Sequence, residues 1–328
     1  MNFFDLHCDT AGECFNRKLH LHDSPLQLSL CKGEILDKWA QLFAIWIPDE
    51  LRGEAAEKYY KNVRDYFLEE IEMNSSKIKL CKGLNDFNDA LEAGKCAAFL
   101  TVEGASALCA EGALQAAKQD GVKLITLTWN DDNELASGCQ SAYPHGFTQA
   151  GKRFLTELKE LNIVADVSHL SRESFSDLVS MDYDGPVIAS HSDSAEVLLA
   201  TREKSEDRFF SERRALNDEQ AKYIIGRGGL IGINFCNSFL GDPGDDGAEA
   251  VYRHISRFLY LGGENSVAVG SDFDGCDISP DMDSVGKIPA LRDYLSGRGM
   301  SDGLLEKIFF ENSAHFFSNI LQNEQSVL

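Results

Sequence analysis

The chain has 328 residues, of which 43% are hydrophobic, and its 31 basic and 53 acidic residues give a formal net charge of −22. Such a charge repels nucleic-acid phosphates and anionic lipid headgroups, so we expect neither nucleic acid nor a membrane as a partner. The chain also lacks a ~20-residue apolar run, a recognisable secretory signal and any Cys-x-x-Cys pair among its nine cysteines, which predicts a cytoplasmic protein without a disulfide framework.

Eight short apolar runs predict strands, and stretches with helical spacing separate them. The strands are predicted at residues 3–6, 42–47, 97–102, 122–128, 163–168, 187–190, 229–235 and 267–271. The helices are predicted at residues 55–73, 84–93, 148–161, 217–225, 248–261 and 302–320, with start signals at Ser171 and at Asn217. Eight alternating units predict a TIM-type (β/α)8 barrel. No linker interrupts the pattern, so residues 1–328 are expected to form one domain with extended rim loops at 16–36 and 192–217.

Residues that can bind a divalent cation stand at the carboxyl ends of five of these runs. They are His7 and Asp9 after the first run, Glu103 after the third, His169 after the fifth, His191 after the sixth and Asp272 after the eighth. Each alone has an ordinary structural explanation, such as a hydrogen-bonded core histidine or a salt-bridged carboxylate. Active sites of TIM barrels lie where the carboxyl ends of the strands meet, so the joint placement predicts a shared metal centre.

Five of these side chains suit two ions better than one. We expect His7 and Asp9 on one ion, His169 and His191 on the other, and Glu103 bridging both. Mixed imidazole and carboxylate ligands favour zinc. Paired ions can share a water, lower its pKa and polarise a carbonyl. Asp272 is then expected to carry the proton from the water to the leaving group, with a role as a sixth ligand as the alternative.

Short motifs in a fixed order carry a family resemblance over nearly the whole chain. They are His7-Cys8-Asp9-Thr10, Val102-Glu103-Gly104, Thr126-Leu127-Thr128, Asp166-Val167-Ser168-His169, Ser190-His191-Ser192 and Gly270-Ser271-Asp272-Phe273-Asp274-Gly275. In these motifs the chain resembles the renal dipeptidase (membrane dipeptidase) family. The resemblance implies a TIM-like barrel, a binuclear zinc site with Glu103 bridging, hydrolysis of dipeptides and a homodimer. It also implies that Arg214 binds the substrate carboxylate, with the adjacent Arg213 leaving the register open by one residue.

One position departs from the family pattern. Trp129 stands where the family usually has a histidine that contacts the substrate and stabilises the oxyanion. An indole has one N–H donor and cannot become cationic, so it could replace the hydrogen bond but not the charge. Asn130 and Asn133 still match the family in this loop and are candidate substrate contacts. Two interpretations stay open, a weakened oxyanion site and a pocket wall that selects different side chains.

The sequence therefore predicts a zinc-dependent dipeptidase with a small dipeptide as substrate. A related amidohydrolase acting on N-acyl amino acids or on another amide or lactone is the alternative among enzymes. A metal-stabilised barrel without turnover is the alternative outside enzymes, although a purely structural metal site needs no acid/base carboxylate such as Asp272. Asp166 and Asp274 are candidates for holding a ligating histidine in place, because such ligands usually have their second nitrogen hydrogen-bonded.

Overall fold

A nearly closed barrel of parallel strands forms the centre of the protein. The computed structural model describes residues 1–201, 212–241 and 247–323. Within these residues the strands are β1 (Asn2–Asp5), β2 (Lys38–Trp46), β3 (Ile78–Leu80), β4 (Cys96–Glu103), β5 (Val122–Thr126), β6 (Val164–Asp166), β7 (Val187–Ile188), β8 (Ile231–Ile233) and β9 (Val267–Val269). All eight predicted strands are confirmed. The additional β3 pairs with the first residues of β4 and was not predicted, because three residues carry too little pattern.

The barrel closes between β7 and β8. The other neighbours follow the order β8-β9-β1-β2-β4-β5-β6-β7, and a parallel bridge between Ala189 and Ile231 joins the two ends. Closure requires a very close approach of the backbones at this point. A Cβ atom at Gly232 or at Gly270 would lie 1.9 Å or 1.8 Å from the carbonyl oxygen of Ser190. Glycine at both positions therefore allows the strands to meet.

The register of the strands aligns their last residues at one end of the barrel. Trp46 pairs with Glu103, Glu103 with Thr126, and Thr126 with Asp166. Below this level, each of the eight barrel strand regions contributes at least one residue to a common apolar cluster, which fills the barrel. Its members include Phe4, Ala40, Phe99, Leu124, Val164, Ile188, Leu230 and Ala268, with Phe310 and Phe317 from the end of the chain.

Helices surround the barrel and connect its strands. In the described residues they are α1 (Thr10–Arg17), α2 (Leu30–Gly33), α3 (Gly53–Met73), α4 (Leu84–Glu92), α5 (Ala113–Asp120), α6 (Gln149–Glu160), α7 (Arg172–Ser180), α8 (Ala195–Thr201), α9 (Asp218–Gly226), α10 (Asn237–Leu240), α11 (Gly247–Tyr260), α12 (Ile288–Gly297), α13 (Asp302–Glu306) and α14 (Asn312–Asn323). The predicted helix at 302–320 is interrupted by a π-helical segment, Lys307–Glu311. None of the described helices is long and apolar enough to cross a membrane.

Two helix starts agree with the sequence signals. The Ser171 side chain accepts a hydrogen bond from the Ser174 N–H, and Asn217 and Gln220 form a complete capping box. Hydrogen bonds to two carboxylates anchor both halves of the rim loop at 16–36. The buried Glu70 carboxylate accepts from the Leu21 N–H at 2.8 Å, and Asp274 accepts from the Gln27 N–H at 2.6 Å. The second predicted rim loop, 192–217, lies partly outside the described residues.

His254 joins α11 to the segment that follows β7. The ring accepts a hydrogen bond from the Ser194 N–H at 3.0 Å through Nδ1 and donates to the Leu240 carbonyl at 2.8 Å through Nε2. The ring is fully buried, and burial lowers the pKa of His254 to about 4. The imidazole is therefore neutral in the folded protein at neutral pH.

This histidine makes the free energy of unfolding depend on pH. An unfolded chain takes up a proton at His254 below about pH 6.5, whereas the folded chain does so only near pH 4. The contribution of neutral His254 to stability is therefore present above about pH 6.5 and is lost as the pH falls from there to about 4. We expect wild type to lose on the order of 3 kcal/mol more stability than His254→Gln between pH 7 and pH 4. Denaturant unfolding at several pH values measures this, and parallel stability profiles would contradict it.

Candidate metal centre

The structure brings all six predicted residues together at one end of the barrel. Their side chains form three overlapping groups whose ligand-type atoms lie within 4.8 Å of one another. The groups are His7, Asp9 and Glu103; Glu103, His169 and His191; and His7, His191 and Asp272. The sequence prediction that these strand ends converge is therefore confirmed, while the role of each side chain stays a prediction.

Glu103 lies between two sets of partners. Its Oε1 atom is 3.0 Å from His169 Nε2 and 3.2 Å from His191 Nε2. Its Oε2 atom is 3.6 Å from His7 Nε2. One carboxylate thus points an oxygen at each half of the cluster, which is the geometry that a bridging ligand requires.

The other half of the cluster contains buried polar atoms that lack hydrogen bonds. His7 Nε2 lies 3.4 Å from Asp9 Oδ2 and 3.9 Å from Asp272 Oδ1. His7 is 1% exposed, yet neither of its ring nitrogens has a hydrogen-bond partner, and Asp9 Oδ1 has none either. Leaving buried polar atoms unsatisfied is costly, so the arrangement fits a cation that these atoms would coordinate.

The electrostatics of the cluster favour a cation in the same place. Burial by itself disfavours a charged Glu103, but His7 and the hydrogen-bonding histidines hold the pKa of Glu103 well below its usual range. Burial, followed by the positive charge of Arg214, lowers the pKa of His169 to about 4. Burial also lowers the pKa of His191 well below its usual range. Against its own burial, His7 has a raised pKa because Glu103 and Asp9 are negative.

The donor set suits zinc. Neutral imidazoles and ionised carboxylates are the side chains that bind Zn²⁺, and a ring nitrogen must be unprotonated to do so. His169 and His191 meet this condition, and the negative field that protonates His7 would equally attract a divalent ion. The chemistry of these residues therefore fits a divalent metal ion.

Hydrogen bonds orient two of the histidines so that Nε2 faces the centre. His169 Nδ1 lies 2.9 Å from Asn130 Oδ1, which can only accept and so places the proton on Nδ1. His191 Nδ1 lies 2.7 Å from Ser190 Oγ, whose hydroxyl donates to Asp166 Oδ2 at 2.5 Å. Both rings thus keep an unprotonated Nε2, as a metal ligand requires.

Asp166 supports the site through Ser190 rather than by contacting a histidine. Besides the Ser190 hydroxyl, its carboxylate accepts hydrogen bonds from the Thr126 hydroxyl at 2.6 Å and from the N–H groups of Ser168 and Ser190 at 3.0 Å and 2.9 Å. The supporting role predicted for Asp166 thus has a physical basis. Asp274, the other candidate, holds no histidine; it accepts from the Thr10 hydroxyl and from the rim loop.

Asp272 lies at the edge of the cluster, with its carboxylate packed directly against Gly275. Its Oδ2 accepts a hydrogen bond from Asn234 Nδ2 at 3.0 Å. A Cβ atom at Gly275 would lie 2.2 Å from Asp9 Oδ2 and 2.4 Å from Asp272 Oδ1, so only glycine fits there without displacing a carboxylate. Burial, and then the negative charges of Asp9 and Glu103, raise the pKa of Asp272 to about 7.

A cavity of about 200 Å³ opens onto the cluster. Trp129 lies in its wall, with its ring centroid 4.9 Å from that of Trp46 in an edge-to-face arrangement and 6.2 Å from that of His169. Asn130 also lines the cavity. Asn133 is engaged with its own loop instead, because its amide donates to the Leu127 carbonyl and accepts from the Leu135 N–H. The substrate contact assigned to Asn133 stays a prediction that this geometry does not favour.

Arg214 lies beside the histidine pair. It is 4% exposed, and its two terminal nitrogens donate to the His191 carbonyl at 2.8 Å and to Ser192 Oγ at 3.0 Å. Its Nε atom is buried without a hydrogen-bond partner, and its guanidinium carbon lies 5.4 Å from the centre of the Phe239 ring, which lines the cavity. The structure thus places Arg214 next to the site, one aromatic ring from the cavity.

The supporting roles of several residues were not predicted from the sequence. Ser190, Asn234, Trp46 and Gly275 come from different strand ends, and their contacts arise only when the barrel forms. The Asn130 contact to His169 was also missed, because 39 residues separate the two. The Gly-Ser-Asp-Phe-Asp-Gly run did include Gly275, but its spacing does not indicate which glycine approaches a carboxylate.

Comparison with known proteins identifies a family. A family model for membrane dipeptidase, peptidase family M19, matches residues 1–327. A Klebsiella pneumoniae protein named as an uncharacterised protein in the pqqA 5′ region is 30% identical over 260 residues, which are 76% of this chain and 91% of that protein.

Solved structures share the fold. A Rhodobacter sphaeroides metallopeptidase bound to a phosphinate mimic of the dipeptide L-Ala-D-Ala is 23% identical, with a TM-score of 0.86 over 98% of this chain and 99% of that one. The probable dipeptidase PvdM from Pseudomonas aeruginosa is 18% identical, with a TM-score of 0.77 over 92% and 90% of the two chains.

The Asn130 contact predicts a change in metal affinity. Asn130→Ala removes the acceptor that sets the His169 tautomer, so we expect zinc affinity to fall roughly 10- to 100-fold. Competition with a chromophoric chelator measures it. Asn319→Ala is the matched control, because Asn319 also contacts a histidine, His315, but on the exposed surface. Equal zinc affinity of wild type and Asn130→Ala would contradict the expectation.

Proposed function

We propose that this chain, which belongs to the membrane dipeptidase family of metallopeptidases, is a dipeptidase that works with two zinc ions. The observation that carries the proposal is Glu103, whose two oxygens face separate groups of potential ligands in a buried cluster. His7 and Asp9 would hold one ion, and His169 and His191 the other. Bound zinc supplies a Lewis acid and lowers the pKa of water towards neutrality.

Asp272 is suited to move the proton during hydrolysis. Its Oδ1 faces the cluster 3.9 Å from His7 Nε2, and its Oδ2 is held by Asn234. The carboxylate would accept a proton from the attacking water and deliver it to the nitrogen of the leaving amino acid. The hydrogen bond from Asn234 keeps one oxygen engaged and leaves the other to face the reacting groups.

Arg214 is proposed to bind the carboxylate of the substrate. A guanidinium can hold a carboxylate with two parallel hydrogen bonds, which suits recognition of a free carboxyl terminus. Two of its nitrogens orient the side chain against the backbone and hydroxyl next to His191. The cavity of about 200 Å³ is smaller than the roughly 300–1,000 Å³ of pockets for drug-sized ligands, which favours a small substrate.

Trp129 gives the cavity an apolar wall at the position where the family usually has a histidine. Its edge-to-face contact with Trp46 makes the two indoles one apolar wall of the cavity. This geometry favours the interpretation that Trp129 selects substrate side chains. The same wall keeps a second candidate open, a related amidohydrolase whose substrate carries an apolar N-acyl group.

The Asp272 assignment predicts a variant that binds metal without turnover. Asp272→Asn keeps the size and the polar contacts of the side chain but cannot accept the proton, so we expect kcat to fall on the order of 10²- to 10⁴-fold. Elemental analysis should still find two zinc ions per chain. The control is Asp65→Asn, an exposed carboxylate on α3 that pairs with Arg64 and does not line the cavity. A kcat close to that of wild type would reassign the proton carrier.

A substrate panel tests the function itself. The zinc-loaded protein should hydrolyse dipeptides with L- or D-residues faster than N-acyl amino acids, and removal of zinc by a chelator should abolish hydrolysis. Trp129→His should change the preferred side chains rather than give the 10²- to 10³-fold gain expected from a recovered oxyanion donor. Faster hydrolysis of N-acyl amino acids would favour the second candidate. Undiminished activity after complete zinc removal would overturn the proposal.

A further inference from the structure

The cavity next to the metal centre is lined by five described carboxylates, and four of them already have partners or roles. They are Asp9, Glu13, Glu103, Asp272 and Asp274. Asp9 and Glu103 face the proposed ions, and Asp272 faces the reacting groups. Asp274 is tied down by the Thr10 hydroxyl at 2.6 Å and by the Gln27 N–H at 2.6 Å. Glu13 alone among these five described carboxylates has neither a role in the proposed chemistry nor a hydrogen-bonded partner in the site; its ion pair is with Arg17 on the same helix.

Glu13 is one helical turn from the metal centre. Its backbone N–H donates to the Asp9 carbonyl at 3.1 Å at the start of α1. Residues four apart lie on the same face of a helix, with Cβ atoms roughly 5–6 Å apart. Glu13 therefore lies on the same side of α1 as Asp9, and both residues line the cavity.

The existing partner of Glu13 is weakly bound. Arg17 Nη1 lies 3.6 Å from Glu13 Oε2, and the Arg17 side chain is 51% exposed. An exposed ion pair at this spacing contributes little, because water solvates both charges and long side chains lose entropy when they are held together. A cation that enters the cavity can replace Arg17 at small cost.

The remaining cavity wall offers no competing positive charge. Its described lining contains no lysine or arginine, and the residues other than carboxylates include the rings of Trp46, Trp129 and Phe239. A dipeptide brings one cation of its own, the α-ammonium group, which lies two bonds from the carbonyl carbon that is attacked. With that carbon beside Asp9, an acceptor one helical turn away is within reach of the ammonium.

We propose that Glu13 binds the α-ammonium group of the substrate and thereby restricts the enzyme to dipeptides with a free amino terminus. The inference rests on the proposed dipeptidase function and narrows it. An N-acyl group is neutral and bulkier, so it leaves the Glu13 carboxylate without its cation and pushes against the cavity wall. Hydrogen bonds to charged groups are stronger than neutral ones, which makes this contact a source of discrimination.

Direct binding tests the inference without relying on turnover. The probes are a phosphinate analogue of Ala-Ala and its N-acetyl derivative, titrated calorimetrically into the zinc-loaded protein. In wild type we expect the free-amine probe to bind roughly 10- to 100-fold more tightly than the acetylated one. In Glu13→Gln the free-amine probe should weaken and the ratio should fall towards one, with the zinc content unchanged.

Glu57→Gln is the matched control, because Glu57 forms the same i,i+4 pair with Lys61 on another helix and does not line this cavity. It should retain the wild-type ratio. A Glu13→Gln protein that also retains that ratio would overturn the role of Glu13. Absence of dipeptide hydrolysis by wild type in a separate assay would overturn the proposed function instead, so the two failures are distinguishable.

Discussion

The buried carboxylate of Glu103 is the feature on which the site depends. It is 3% exposed and has no basic lysine or arginine within ion-pair distance among the described residues, only imidazoles on both sides. A charge in this position is stable only if cations compensate it, and the unpaired nitrogens of His7 show that protein hydrogen bonds do not complete that compensation. The same imbalance makes the cluster suited to a divalent ion.

Two buried aspartates tie neighbouring strand ends together around this charge, and they work in the same way. Asp166 accepts from the N–H and the hydroxyl of Ser190 on the adjoining strand end, and Asp5 accepts from the N–H and the hydroxyl of Ser271 at 2.8 Å and 2.6 Å. Ser190 directly precedes His191, and Ser271 directly precedes Asp272. Each aspartate thus fixes the backbone that presents a functional side chain, which explains why such polar groups are tolerated at full burial.

The barrel strands could be predicted from the short apolar runs in the sequence. The six converging residues could be predicted because each follows the carboxyl end of such a run. Apolar runs with a ligand-type residue at the carboxyl end are local patterns, and the rule that parallel strands end at one face turns them into a site. Helix α1 was not predicted, since its eight residues are few, include Gly12 and Cys14, and run into the predicted rim loop at 16–36. Its omission also hid Glu13, whose position on the cavity wall follows from the helical turn after Asp9.

Residue types and their order along the chain were sufficient to identify the barrel, the family and the cluster of potential metal ligands. Only the tertiary structure decided which side chains contact the clustered residues and which are engaged elsewhere. Asn130 turned out to hold His169, Trp129 to contact Trp46, and Asp274 to anchor a loop. The physical reason is that ligand type and strand position are local properties of the sequence. Hydrogen-bond partners and ring contacts depend on distances between segments that are far apart along the chain and are set only when the barrel closes.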